Sequence, residues 1–397
     1  MKLSERIKNL KPSMTLAITA KAKALRAEGL DVIGLGAGEP DFDTPEFIKQ
    51  AAIDSIKQND THYTPVGGTD AIKDAIIKKL ERDNGVSYAR DNIVVSCGAK
   101  HSLYNLAQAL WETGDEVILQ SPYWVSYPEI IRLAGATPVI IDTDADSEFK
   151  MSPTQLEAAI TPNTRALILN SPSNPTGLGY TRQELETLSQ IALDKDVTVI
   201  SDEIYDKIVF DGFEPACPAS FSEELKKNTI VVNGASKAYA MTGWRIGYIA
   251  CEPEIATGVT KLQGQSTSNP CSIAQAAAAA AFVGDDVDVA RMCDEFKNRR
   301  DYLLERFEKM PGVSCPKPIG TFYSFPDISG SFGKTWNGKT IEGSLDFCEF
   351  LLETEKVAVV PGIAFGADKH VRLSFAASLD VLKEASDRIE RALKSLT

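Results

Sequence analysis

The 397-residue sequence predicts an α/β protein. A large domain is built on a mostly parallel seven-stranded sheet flanked by helices. A smaller α+β domain is drawn from both chain ends. Three observations predict this. Short apolar runs alternate with helix-period segments through the middle of the chain, the pattern of parallel strands joined by crossover helices. That alternation stops near residue 285. Several polar positions follow directly on the apolar runs, at the sheet edge where open α/β folds bind ligands.

Taken in order, residues 1–45 hold a helix over about Met14–Glu28 and a turn-rich segment, expected to join the C-terminal unit. Residues 46–285 form the large domain. Its strands are expected at Ile93–Ser96, Glu116–Leu119, Pro138–Ile141, Ala166–Asn170, Val197–Ser201, Ile230–Asn233 and Arg245–Ala250. Helical patterns at His101–Trp111, Pro122–Ala134 and Arg182–Asp194 fill intervals between them. Residues 286–397 form the small domain. It opens with a charged helix, Val287–Met310, and continues with strands at Val313–Pro316, Thr321–Phe325, Val357–Val360 and His370–Phe375. A C-terminal helix closes it.

Composition narrows the function. Apolar residues are 43% and charged residues 24%, as in soluble globular chains. A net charge of −13 argues against nucleic acid or an anionic membrane as partner. The start, MKLSERIKNLKPS, lacks the apolar core of a signal peptide, and no apolar run reaches membrane-spanning length. Seven cysteines without a CxxC pair suggest neither a disulfide framework nor a zinc site, so no metal is expected. These features predict a cytoplasmic protein. With three histidines in all, chemistry built on several histidines is disfavoured.

The candidate site residues stand at predicted strand ends. Lys237, in NGASKAYAMTGWRIGY, follows an apolar run. In a cationic, partly desolvated pocket a lysine loses its proton readily and attacks aldehydes. Alone it would be an ordinary loop lysine. Asp202 in ISDEIYDKI reads either as a helix cap or as a buried carboxylate that keeps a cofactor ring nitrogen protonated. Tyr205, three residues on, would send its hydroxyl to the same ring. The segment SCGAKHSL is a strand, a glycine turn at Gly98 and a helix start, whose backbone N–H groups suit a phosphate. Ser236 and Arg245 would complete such a site. Trp124 in SPYWVSY can stack on a planar ring, and Asn174 in SPSNPTG is rigidly placed between prolines. In HVRLSFA the residues alternate, and Arg372 can clamp a carboxylate with two parallel bonds. GLGAGEP resembles a dinucleotide fingerprint but carries Glu39 where the third glycine belongs. That weakens the rival reading of a nicotinamide oxidoreductase. A non-catalytic ligand-binding protein is the other rival.

In combination and order, the segments KPSMT, GAGEPDFDTP, HYTPVGG, SPYWVSYPE, NSPSNPTG, ISDEIYDKI, NGASKAYAMTGWRIGY, QSTSNP, GTFYSF and VRLSFA resemble the fold-type I, pyridoxal-phosphate-dependent class I aminotransferases. The likeness runs nearly end to end. It is strongest to the branch of bacterial aspartate aminotransferases that includes bifunctional aspartate/prephenate enzymes. The resemblance implies that Lys237 binds the cofactor covalently and moves the substrate proton. It implies that Asp202 pairs with the ring nitrogen, Tyr205 and Asn174 bond the ring oxygen, and Trp124 stacks on the ring. Backbone at Gly98 and Ala99, with Ser236 and Arg245, would hold the phosphate. Tyr63 would reach the phosphate of a second subunit in a homodimer. Arg372 would take the substrate α-carboxylate, with Gly38 and Asn174 beside it.

The aspartate-specific arginine of the best-known relatives is missing from STSNP (266–270). In the resembling branch a lysine after the phosphate-binding turn takes the distal carboxylate, helped by a threonine. Lys100 and Thr15 match these, and Lys11 matches a residue linked to prephenate. The implied reaction is ping-pong transfer of an amino group between L-aspartate and 2-oxoglutarate. Prephenate, aromatic or alanine-type substrates are the alternatives.

Overall fold

A computed structural model describes residues 2–8, 10 and 14–397, with 14–16 and 19 as backbone alone. Its centre is a seven-stranded sheet. We number its strands β1 (Ile93–Ser96), β2 (Glu116–Ser121), β3 (Thr137–Asp142), β4 (Thr164–Asn170), β5 (Thr198–Asp202), β6 (Thr229–Gly234) and β7 (Gly247–Ala250). Their spatial order is β1-β7-β6-β5-β4-β2-β3. All neighbours are parallel except β7, which runs antiparallel to both β1 and β6. Most of the apolar runs are buried on both faces, while the edge strand Thr137–Asp142 is half covered. Every residue of β1, β6 and β7 is buried, which is the signature of a sheet covered on each side.

Helices cover those faces. Arg182–Asp194 starts on a capping box: the Thr181 hydroxyl accepts from the Glu184 N–H, and the Glu184 carboxylate accepts from the Thr181 N–H at 2.7 Å. Leu103, Leu106 and Ile131 pack one face of the sheet with Val94, Ile200 and Ile249. The expected helix over 122–134 shrinks to Tyr127–Leu133. Its first residues instead form a turn that carries Trp124.

The chain ends meet. Ile33–Gly34 pairs in parallel with Val357–Ala358, and the helix Met14–Ala27 brings Ala22 against Leu352 and Ala358. A second small sheet joins Val360–Pro361, Val371–Ser374 and Tyr323–Ser324, all antiparallel. Two expectations need correction. Val313–Pro316 is not a strand; Ser314 makes a single bridge to Asp327. The run Val357–Val360 is split, and its two halves pair with different partners. The long helix Val287–Phe307 buries Val289, Met292, Phe296, Leu303 and Phe307 along one stripe.

Candidate active site

Parallel strands in one layer deliver their carboxyl ends to a common edge, and a cavity of about 420 Å³ opens there. Asp202 is the last residue of β5, Asn170 the last of β4, and Lys237 lies three residues past β6. Gly38, Ala99, Lys100, Trp124, Asn174, Asp202, Tyr205, Ser236, Lys237, Arg245 and Arg372 all line this cavity.

At the base, Asp202 is buried. One carboxylate oxygen accepts the Tyr127 hydroxyl at 2.6 Å, and the other accepts the Ile204 N–H at 3.2 Å. Burial outweighs these bonds and the Lys237 charge, pushing the carboxyl up to about 6. Asn170 donates to the Asp202 carbonyl at 3.0 Å and accepts the Asn174 N–H at 2.9 Å. Tyr205 is buried, its hydroxyl 3.2 Å from that of Tyr323. Burial holds the Tyr205 phenol well above its ordinary range, so it stays protonated.

Lys237 is half-buried and donates to the Gly38 carbonyl. Its amine is drawn down to about 8, first by burial, then by the Arg372 charge, with Arg245 and Lys100 adding and Glu39 opposing. That is the cationic, desolvated setting in which a lysine becomes a nucleophile.

One rim of the cavity is built for an anion. The helix Ala99–Leu110 begins at Gly98 with no side-chain cap, so its first amides stay free of a side-chain partner. Gly98 has φ +92°, and a Cβ there would sit 2.3 Å from a terminal nitrogen of Arg245. That positive φ favours a glycine here, whatever the space beside it. Arg245 is itself left-handed, at φ 58°, and donates to the carbonyls of Thr242 (2.8 Å) and Cys97 (3.3 Å). Ser236 completes the rim. Trp124 contributes a wall, with the Lys100 ammonium 4.9 Å above its ring.

Across the cavity, Arg372 is buried, which excludes a surface salt bridge. Its two terminal nitrogens donate to the Asn174 side chain and the Gly36 carbonyl, each at 2.9 Å. Its Nε is buried without a partner, and its guanidinium lies 4.2 Å from the Tyr323 ring centre.

One expected residue falls elsewhere. The Tyr63 side chain is 92% exposed and lies outside this cavity. Lys11 lies outside the described residues, and Thr15 is described in its backbone alone. The sequence reading missed Tyr127, Asn170 and Tyr323. All three sit inside segments that carry the resemblance, SPYWVSYPE, NSPSNPTG and GTFYSF, but nothing local marks a tyrosine whose partner is over seventy residues away.

The pattern of the family described as aminotransferase class I and II matches residues 30–389. An aspartate aminotransferase of Bacillus sp. (strain YM-2) is 48% identical over 99% of both chains. An aspartate/prephenate aminotransferase of Nitrosomonas europaea is 47% identical over 99% of this chain and all of the relative. The solved aspartate aminotransferase of Rhizobium meliloti superposes with a TM-score of 0.97 at 44% identity, covering both chains fully. That of Thermus thermophilus with maleate gives 0.93 at 41% identity, over 99% of this chain and all of that one.

Proposed function

This chain belongs to the aminotransferase class I and II family, and on that premise we propose that it exchanges an amino group between L-aspartate and 2-oxoglutarate with the help of pyridoxal phosphate. The observation that carries this reading is the position of Lys237. It stands in one cavity between an anion rim and a buried carboxylate, opposite a second guanidinium with a spare N–H.

The residues present fit the cofactor. The uncapped amides after Gly98, with Ser236 and Arg245, suit its phosphate. Asp202 suits its ring nitrogen, Tyr205 and Asn174 its ring oxygen, and Trp124 its flat face. Lys237 suits its aldehyde. When bound, this group supplies an electron-withdrawing ring that no side chain offers. The rest falls to the protein. Asp202 holds a proton on the ring nitrogen. Arg372 orients the amino acid by its α-carboxylate, with Asn174 and the Gly38 backbone beside it. The Lys237 amine would move the proton from the substrate α-carbon to the carbon of the cofactor's aldehyde group, and in the second half-reaction from there to the α-carbon of the new amino acid. The keto acid leaves before the second one enters, so kinetics are ping-pong.

Lys100 would receive the distal carboxylate, and Thr15 would assist it. Lys100→Ala should raise KM for L-aspartate and 2-oxoglutarate by about ten- to a hundredfold, the loss of one charge-assisted bond, yet leave L-alanine almost unaffected. Equal losses on both substrates would remove Lys100 from this role. The bifunctional aspartate/prephenate relative supports prephenate as a second acceptor, for which Lys11 is the candidate cation.

The domain division at about residues 45 and 285 is supported by the pairing of Ile33–Gly34 with Val357–Ala358. A homodimer is supported by the outward Tyr63, which suits the neighbouring subunit's phosphate; sedimentation equilibrium tests it. A cytoplasmic location fits seven free thiols and the lack, among the described residues, of any helix long and apolar enough to cross a membrane. The deciding experiment is the absorption spectrum of the purified protein loaded with pyridoxal phosphate. A visible band that gives way to a shorter-wavelength one on adding L-aspartate supports the reading. A band indifferent to aspartate overturns the substrate, and no band overturns the cofactor.

A further inference from the structure

The loop 36–44 presents two carbonyls to the chemistry. Gly36 accepts from Arg372 at 2.9 Å, and Gly38 accepts from Lys237. Glu39, next along, accepts the Thr242 hydroxyl at 2.9 Å. Yet residues 36–44 make no backbone–backbone hydrogen bond among the described residues. A loop that must aim two carbonyls without a ladder needs side-chain anchors.

One anchor is at its end. The Thr44 hydroxyl donates to the Ala240 carbonyl at 2.7 Å and accepts the Trp244 indole N–H at 3.0 Å. Another, besides the Glu39 contact, is at its middle, where Arg299 reaches in from the long helix Val287–Phe307. Arg299 is buried. Its Nη1 donates to the Asp41 carboxylate at 2.7 Å, and its Nε donates to Glu295, one turn back on the helix, at 2.9 Å. Its guanidinium also lies 5.1 Å from the Phe42 ring centre and 5.8 Å from that of Phe296. Phe296 packs on Phe322 at 5.4 Å, and the Lys237 ammonium lies 5.8 Å from the Phe322 ring.

We propose that Arg299 is a positioning residue for substrate binding: by holding Asp41 and Phe42 it fixes the loop whose Gly36 and Gly38 carbonyls orient Arg372 and Lys237. The guanidinium is suited to this. It bonds two carboxylates in one plane while its face covers an aromatic ring, which a lysine cannot do at once. Replacing a whole buried ion pair by apolar side chains is often neutral, whereas removing Arg299 alone leaves the Asp41 and Glu295 carboxylates unpaired, so a stability loss by itself does not speak to its role. Its work is to set the loop. The inference rests on the roles given above to Arg372 and Lys237.

The test uses the pyridoxal-phosphate-loaded enzyme and succinate, a dicarboxylate that binds without reacting. Succinate Kd by calorimetry, kcat and KM for L-aspartate, and the melting midpoint are measured for Arg299→Met, Arg299→Lys, Asp41→Asn and Arg372→Leu. Arg299→Met should raise Kd and KM about tenfold while kcat falls less than threefold. Arg299→Lys should lie between it and the wild type. Asp41→Asn should raise Kd similarly, and its effect should not add to that of Arg299→Met. A lowered melting midpoint with unchanged Kd and KM overturns the proposal. If Arg299→Met does not fold, Arg299→Lys and Asp41→Asn decide alone. Should Arg372→Leu weaken succinate while the Arg299 and Asp41 variants do not, the positioning role falls and the reading of Arg372 stands. If Arg372→Leu leaves Kd unchanged, both fall.

Discussion

Lys237→Ala should lower turnover at least about a thousandfold, because it removes both the group that attacks the cofactor aldehyde and the base that moves the α-proton. The fold should not suffer. The Gly38 carbonyl that loses its donor is exposed and can take water instead. The amine, moreover, is held down at about 8, below the ordinary 10.5. A lysine whose folded value is depressed opposes folding wherever it is charged. That opposition is complete below about pH 8 and fades as pH rises towards 10.5. Thus the alanine variant, melted without cofactor, should match or exceed the wild type at pH 7, and the gap should close above about pH 10. The same depression leaves on the order of one amine in ten neutral at pH 7, which is what attack on an aldehyde requires. Full turnover in Lys237→Ala would sink the assignment. A variant that melts far below wild type at pH 7 would mean instead that Lys237 is a structural lysine.

What the sequence reveals here, and what it hides, divides by distance along the chain. Most strands of the large sheet are readable because burial on both faces leaves apolar runs (the edge strand Thr137–Asp142 is only half covered), and their carboxyl ends locate Asp202, Lys237 and Gly98 without any partner being known. Arg372 is a partial success. Alternation in HVRLSFA marked it as facing away from Leu373, but the structure buries the polar side too, against Tyr323 and Phe365. Such covering comes from segments far away in the chain, which periodicity does not register. The same holds for Tyr127 and above all for Arg299, whose partner Asp41 is 258 residues distant. Val313–Pro316 failed for another reason: Val313 is its single strong strand former, and the segment finds one bridge partner and no ladder.

The second large effect is expected at Asp202. Asp202→Asn preserves volume and can still accept the Tyr127 hydroxyl, so the base of the cavity should keep its shape. It removes the charge that holds a proton on the cofactor's ring nitrogen, and kcat should fall by about a thousandfold or more, near 4 kcal/mol of barrier. Asp202→Glu, which restores a carboxylate at a displaced position, should recover part of this. Asn at wild-type kcat would make Asp202 a mere strand-end cap. The neighbouring hydroxyl gives a finer test. Burial pushes the Asp202 carboxyl up to about 6, and the Tyr127 hydrogen bond pulls it part of the way back. Tyr127→Phe removes that pull, so the carboxyl should rise further and the acid limb of the kcat profile should move to higher pH. The shift must be upward, because the lost bond favoured the ionised form. A limb that stays in place would show that the Asp202 charge does not limit the reaction, and the electron-withdrawing power of the ring would then have to be set by another partner.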